Sequence, residues 1–232
     1  MILSTPGQVL HTTPYGDASV IVKVFTRQLG LRSYIIKGVR GRNARVKQNL
    51  LQPLTSLDMV VYDNPHSDLN HVKELSPRRP SQPSEPVANA LRFFMTEVLY
   101  KTLHEAEPMP DLWDYVDELA DGRQPVSTGQ LPVVFMLHVA RHLGIEPLDN
   151  RTAREPYFDL QEGRYVSVPT ETTLSAELSA MLHEYLTSDV SHTSFPLADR
   201  TALLNALIAY FQLHLSSFRD FTSHEILHTI LK

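Results

Sequence analysis

The sequence predicts an α+β chain of two domains. A small closed N-terminal β-barrel of the OB-fold type occupies residues 1–80, and a mainly helical C-terminal domain occupies residues 81–232. Three observations lead there. The first 80 residues hold five short runs rich in β-branched and aromatic side chains and no convincing helical period, which suits a small barrel. The stretch SPRRPSQPSEP, residues 76–86, carries four prolines and cannot continue a helix or a central strand. Beyond it, apolar residues recur at helical spacing.

The strands follow in order. Ile2 to His11 is the first. Ala18 to Thr26 (ASVIVKVFT) has no breaker, and RQLG after it makes a turn. Leu31 to Val39 alternates, with Arg32, Tyr34 and Ile36 on one face and Leu31, Ser33, Ile35 and Lys37 on the other. The glycines and asparagine of GVRGRNAR then mark a loop. Leu54 to Tyr62 and Leu69 to Leu75 complete the barrel, joined through DNPHSD. The proline-rich stretch is a linker or an extended strap.

Val87, Leu91, Phe94, Val98 and Leu99 line one face of a helix opening at Pro86, and Leu112, Trp113, Val116 and Leu119 line one beginning near Pro110. Pro132 to Leu143 is an apolar helix closed by Gly144. Residues 157–168 (YFDLQEGRYVSV) form a short hairpin. Thr173–Leu186, Leu197–Leu215 and Ser223–Leu231 complete the helical domain.

Composition narrows the function. The 232 residues contain no cysteine, so disulfides and thiolate zinc sites are excluded. No apolar run reaches membrane-spanning length, and the N-terminus lacks the basic and apolar regions of a signal peptide, so a cytoplasmic protein without membrane contact is expected. The formal net charge of −5 hides an asymmetry. Residues 1–80 contain 11 Lys/Arg against 5 Asp/Glu, and residues 81–232 contain 10 against 21. No acid occurs between Asp17 and Asp58, while Lys23, Arg27, Arg32, Lys37, Arg40, Arg42, Arg45 and Lys47 fall inside that interval. A charge run is usually a solvated face, but eight cations with no intervening acid point to a polyanion.

The expected nucleic-acid site is therefore Arg32, Tyr34, Lys37, Arg40, Arg42, Arg45 and Lys47. The cations neutralise phosphates, and an aromatic offers a stacking platform or else fills the barrel core. HEILH, residues 224–228, matches a zincin pattern, but the chain ends too soon after it for the usual downstream ligand. His138 and His142 stand four apart without a carboxylate cluster nearby in sequence. No metal site, cofactor or catalytic residue is expected, and nothing argues for an enzyme.

HTTPYGDASVIVKVFTRQLG, followed by YIIKGVRGRNAR and LLQPLTSLDMVVY, resembles the N-terminal domain of RecO, the family of bacterial recombination mediators. The matching elements are Tyr15-Gly16-Asp17, Ser19, Ile21-Val22, Phe25-Thr26, Gly30, Lys37-Gly38 and Leu51-Gln52-Pro53. FMLHVARHLG, YFDLQEGRYVSV, YFQLHL and EILHTIL extend the likeness more loosely. The resemblance implies an OB-fold followed by helices and binding of single- and double-stranded DNA. It also implies annealing of complementary strands without nucleotide hydrolysis, and loading of RecA together with RecR. A further implied partner is the acidic, apolar tail of single-stranded-DNA-binding protein, for which Arg141 is the candidate contact, although an ordinary helix-end arginine favoured by the dipole is the better explanation of it. Nucleoid association in a bacterial cytoplasm follows from the same likeness. Many members carry a four-cysteine zinc site around the hairpin, and residues 147–170 here supply no such ligands. A generic single-strand or RNA binder, and a protein adaptor without DNA activity, remain as alternatives.

Overall fold

The computed structural model describes residues 1–39, 46–64, 66–80, 85–104, 107–123 and 126–230, with only the backbone of His192. Five strands, β1 (Ile2–Tyr15), β2 (Ser19–Thr26), β3 (Gly30–Lys37), β4 (Ser56–Tyr62) and β5 (Asn70–Pro77), form a closed barrel in the order β1-β2-β3-β5-β4, with β4 returning to β1. Only the β3–β5 pairing is parallel. Closure removes every sheet edge, and this strand order is that of the OB-fold expected from the sequence.

β1 runs four residues beyond the expected end at His11 because it serves two partners. Its first half pairs with β4, from Ile2↔Tyr62 to Gln8↔Ser56, and its second with β2, from Gly7↔Thr26 to Tyr15↔Ser19. The register shifts between Val9 and His11, so Leu10 is an extra residue that bends the strand from one partner to the other. Gly7 stands where the two pairings overlap. A Cβ there would lie 2.4 Å from Val24 Cγ1, so only glycine fits.

Val9, Val22, Val24, Tyr34, Ile36, Leu57, Met59 and Val61 fill the barrel. Each large side chain removed from water contributes about 1.5–3 kcal/mol, and the alternation of every strand aims that set inward. Part of the outward face is buried as well. Helices α1 (Pro86–Thr102) and α2 (Pro110–Ala120), each opened by a proline at its first turn, pack over it. Trp113 is buried against the sheet with its indole N–H donating to the Phe25 carbonyl at 2.9 Å.

The chain divides into two compact units, Met1–Arg123 and Gln124–Lys232. The helices α1 and α2, which the sequence grouping places after residue 80, thus belong with the barrel in the first unit. The second unit contains α3 (Leu131–His142), the hairpin strands β6 (Tyr157–Asp159) and β7 (Arg164–Val166), α4 (Ala176–Thr187), α5 (Leu197–His214) and α6 (Ser223–Ile230). Phe135, Phe158, Tyr165, Phe211, Phe218 and Leu227 are among its buried large side chains. The hairpin turn is held by Asp159, whose carboxylate accepts from the backbone N–H groups of Gln161 and Glu162 and from the hydroxyls of Thr170 and Thr172. Among the described residues, no helix is long and apolar enough to cross a membrane.

Candidate nucleic-acid interface

Three backbone elements meet at one end of the barrel. The Val39 N–H donates to the Ala18 carbonyl at 3.0 Å, and the Val46 N–H donates to the Gly38 carbonyl at 3.3 Å. The end of β3, the β1–β2 turn and the segment entering the 3-10 turn Gln48–Leu51 are thereby fastened together. Gly38, at φ +70°, supplies the left-handed backbone that turns the chain out of the strand. Lys37 and Lys47 are exposed beside these bonds, and neither forms an ion pair among the described residues. Arg40, Arg42 and Arg45 lie between the fastened ends and outside the described residues.

Arg32 and Tyr34 are placed differently. Both share the inward parity of Ile36, and five residues separate Arg32 from Lys37, or about 16 Å along a strand. The structure therefore puts Arg32, half-buried, at the other end of β3 and on the opposite face from Lys37. Tyr34 has no exposed surface at all. Its ring packs among the barrel valines, and burial pushes its hydroxyl pKa well up from the usual value, with Asp63 nearby adding to the effect. A side chain with no accessible face cannot stack on a base, so the assignment of Tyr34 to the nucleic-acid site is corrected to barrel core.

Strand register reveals an outward surface that alternation alone did not assign. Thr13, Ile21, Ile35, His71, Tyr62 and Ile2 are successive cross-strand neighbours around the barrel. Tyr62 is 46% exposed and Ile2 57%, and Tyr15, two residues along β1 from Thr13, is 49% exposed. Exposed aromatics on a barrel surface have the chemistry that stacking on unpaired bases requires. The available signal was the inward set Leu57, Met59 and Val61, which forces Tyr62 outward. The sequence could not say which parity faces in.

The electrostatics are set by α2. Arg27 is held by Asp114, Arg78 by Asp58 at 2.9 Å, and Arg79 by Asp117 and Asp121 at 2.6 and 3.1 Å. Lys23 sits 5.4 Å from the centre of the Tyr100 ring. The first unit as a whole has 14 Lys/Arg and 14 Asp/Glu, so the positive excess of residues 1–80 is balanced by the helices packed on the barrel. The balance is uneven in space. Residues 1–57 contain a single carboxylate, Asp17, and the acids of α2 face the arginines at 27, 78 and 79. Lys37 and Lys47, which form no ion pair among the described residues, flank residues 40–45 in the sequence.

In the second unit Arg141 lies in the last turn of α3 and donates from Nε to Glu146 at 2.8 Å, so its charge is already engaged. The His138 and His142 rings stand 4.7 Å apart, and those of His224 and His228 5.6 Å apart. Among the described residues, no group of three or more histidines, aspartates or glutamates converges on a point.

Residues 1–80 match the family model described as Recombination protein O N terminal. Over nearly its full length, the chain is similar to curated proteins named DNA repair protein RecO. That of Phocaeicola vulgatus is 28% identical over 241 residues, covering 98% of each chain. Those of Christiangramia forsetii and Porphyromonas gingivalis are 25% and 27% identical, each covering 99% of both chains.

Proposed function

We propose that the chain is a member of the RecO family, to which its first 80 residues and its whole length are similar, and from that premise that it is a DNA repair protein, a non-enzymatic mediator that grips the phosphate backbone of DNA at the fastened end of its barrel. Lys37, Lys47, Arg40, Arg42 and Arg45 are the phosphate contacts, and the exposed aromatics beside them receive unpaired bases. The observation that carries this reading is selective neutralisation: α2 and β4 occupy Arg27, Arg78 and Arg79, and Lys37 and Lys47 have no acidic partner among the described residues.

The finer activities follow from the family likeness. The protein binds single and double strands, pairs complementary single strands without nucleotide hydrolysis, and acts with RecR to place RecA on single strands coated by single-stranded-DNA-binding protein. Four to six cations on a single strand give a slope of log K against log salt of about −3 to −4. Replacing Arg40, Arg42 and Arg45 together by alanine lowers that slope by about 2, alike for all sequences. Annealing of two complementary oligonucleotides separates this reading from its alternatives. A mediator accelerates pairing, a simple single-strand or RNA binder blocks it, and an adaptor does neither. An unchanged pairing rate with saturating protein refutes the mediator.

A further inference from the structure

The first unit carries a cleft of about 800 Å³ with Lys47 in its lining. One wall is the segment Lys47–Ser56, and the other is the N-terminal half of α1, with Pro77–Pro80 along its floor. The first wall is held in an uncommon conformation. Leu54 has φ +52°, a left-handed backbone that a leucine rarely adopts, and its N–H donates to the Val9 carbonyl at 2.8 Å while Thr55 N–H donates to Gln52 at 3.1 Å. The turn is thus pinned to the barrel and the cleft is kept open beneath it.

The described lining contains Lys47, Arg79 and Arg92 and no carboxylate. Arg79 is spent on Asp117 and Asp121, but Lys47 and Arg92 have no acidic partner among the described residues. Between them Phe93 is 50% exposed on a helix whose neighbouring Phe94 and Leu91 are fully packed. The amides of Gln52 and Asn89 also line the walls. Two cations without an acidic partner among the described residues, one solvated aromatic and amide groups are the parts from which sequence-tolerant single-strand sites are built.

We propose that this cleft is a second contact for single-stranded DNA, in which Lys47 and Arg92 hold phosphates and Phe93 stacks on an unpaired base. The inference rests on the reading of the barrel as a DNA-binding surface and extends it. Lys47 borders both places, so one strand leaving the barrel end passes into the cleft without losing contact with positive charge. The ring also imposes a preference: a duplex base has both faces already stacked and gains nothing from Phe93, whereas an unpaired base does. The cleft thereby gives the protein a means to favour single strands that phosphate contacts alone cannot supply.

The test uses the full chain with a fluorescein-labelled thymidine 30-mer and a duplex of the same length, read by anisotropy. Phe93→Ala weakens single-strand binding by about fivefold or more and leaves duplex binding within about twofold. Arg92→Ala lowers the single-strand salt slope by about 0.7. Phe93→Trp retains affinity, and its fluorescence is quenched on adding the single strand. An oligonucleotide carrying 5-iodouracil cross-links within Phe93–Lys101. If Phe93→Ala and Arg92→Ala bind like wild type while Lys37→Glu weakens binding, the cleft is off the DNA path and the inference is overturned, with the barrel reading intact. If the wild-type chain binds neither probe, the barrel reading itself fails. If Phe93→Trp is quenched by an acidic aromatic peptide and not by DNA, the cleft belongs to a protein partner and the inference is likewise overturned.

Discussion

Arg27 donates from Nε and Nη2 to the two carboxylate oxygens of Asp114, at 2.7 and 2.8 Å, and so fastens the end of β2 to α2. The fork-to-fork geometry is the strong form of this pairing, and each partner holds the other in its charged state: the Arg27 guanidinium is raised and the Asp114 carboxyl is lowered from their ordinary values, mainly by this hydrogen bond. A cation engaged in this way has little left for a phosphate. Arg27→Ala therefore leaves the slope of DNA affinity against salt unchanged, whereas Lys37→Ala lowers it by about 0.7. Anisotropy titrations at three salt concentrations decide the matter, and an equal loss for both variants would show that the ion pair opens to bind DNA.

Asp117 is the buried counterpart of that pair. Its Oδ1 accepts from Gln8 Nε2 at 2.7 Å and Arg79 Nη1 at 2.9 Å, and its Oδ2 accepts from Arg79 Nη2 at 2.6 Å. The residue is 6% exposed. Removing the carboxylate takes from Arg79 its shortest ion pair and from the Gln8 amide one of its two acceptors, leaving Asp121 and Ser56 as their remaining side-chain partners, so Asp117→Ala costs about 3 kcal/mol of stability in a urea titration. Asp117→Asn, which keeps an acceptor but not the charge, costs less. The folded fraction of either variant binds DNA as wild type does.

Tyr34 makes the opposite case. Its hydroxyl is buried and has no hydrogen-bond partner among the described residues. Tyr34→Phe removes an unpaired polar atom from the barrel and keeps the ring, so it is neutral or stabilises by up to about 1 kcal/mol. Tyr34→Ala opens a cavity and costs about 3–5 kcal/mol. Neither substitution changes DNA affinity beyond its effect on folding. A specific loss of single-strand binding by Tyr34→Phe would return this residue to the interface.

The sequence carried the barrel because each strand is a short β-rich run bounded by Gly, Pro or Asn, and it carried the helix starts because Pro86 and Pro110 sit at the first turns of α1 and α2. It carried the alternation of β3, which sets Arg32 and Tyr34 on the face opposite Lys37, but not which of the two faces turns into the barrel. The ion pairs of Arg27, Arg78 and Arg79 were illegible, since their acids lie between 20 and 87 positions away in the chain and meet them only through folding. The length of β1 was missed for a related reason. A strand that changes partners at a bulge shows no single pattern along its sequence.

His138 predicts how the second unit responds to acid. Burial lowers its pKa to about 4, and the nearby His142 and Arg141 repel the added proton further, with Glu146 acting weakly the other way. The folded unit therefore keeps His138 neutral down to about pH 4, while the unfolded chain takes up the proton near 6.5. Between those values the unfolded state binds more protons, so stability falls as pH drops from about 6.5 towards 4. His228, lowered chiefly by burial, acts in the same direction. Asp159 acts below this window. Burial raises its carboxyl, but the hydrogen bonds from Thr170 and its neighbours outweigh that and lower it overall, so its contribution is present above its unfolded pKa and is lost only as pH falls through the folded one. His138→Gln therefore flattens the dependence of the urea midpoint on pH between 7 and 4.5 and leaves the steeper loss at lower pH in place. Urea titrations followed by circular dichroism at four pH values check this, and a variant as acid-sensitive as wild type across that window would rule out His138 as the titrating group.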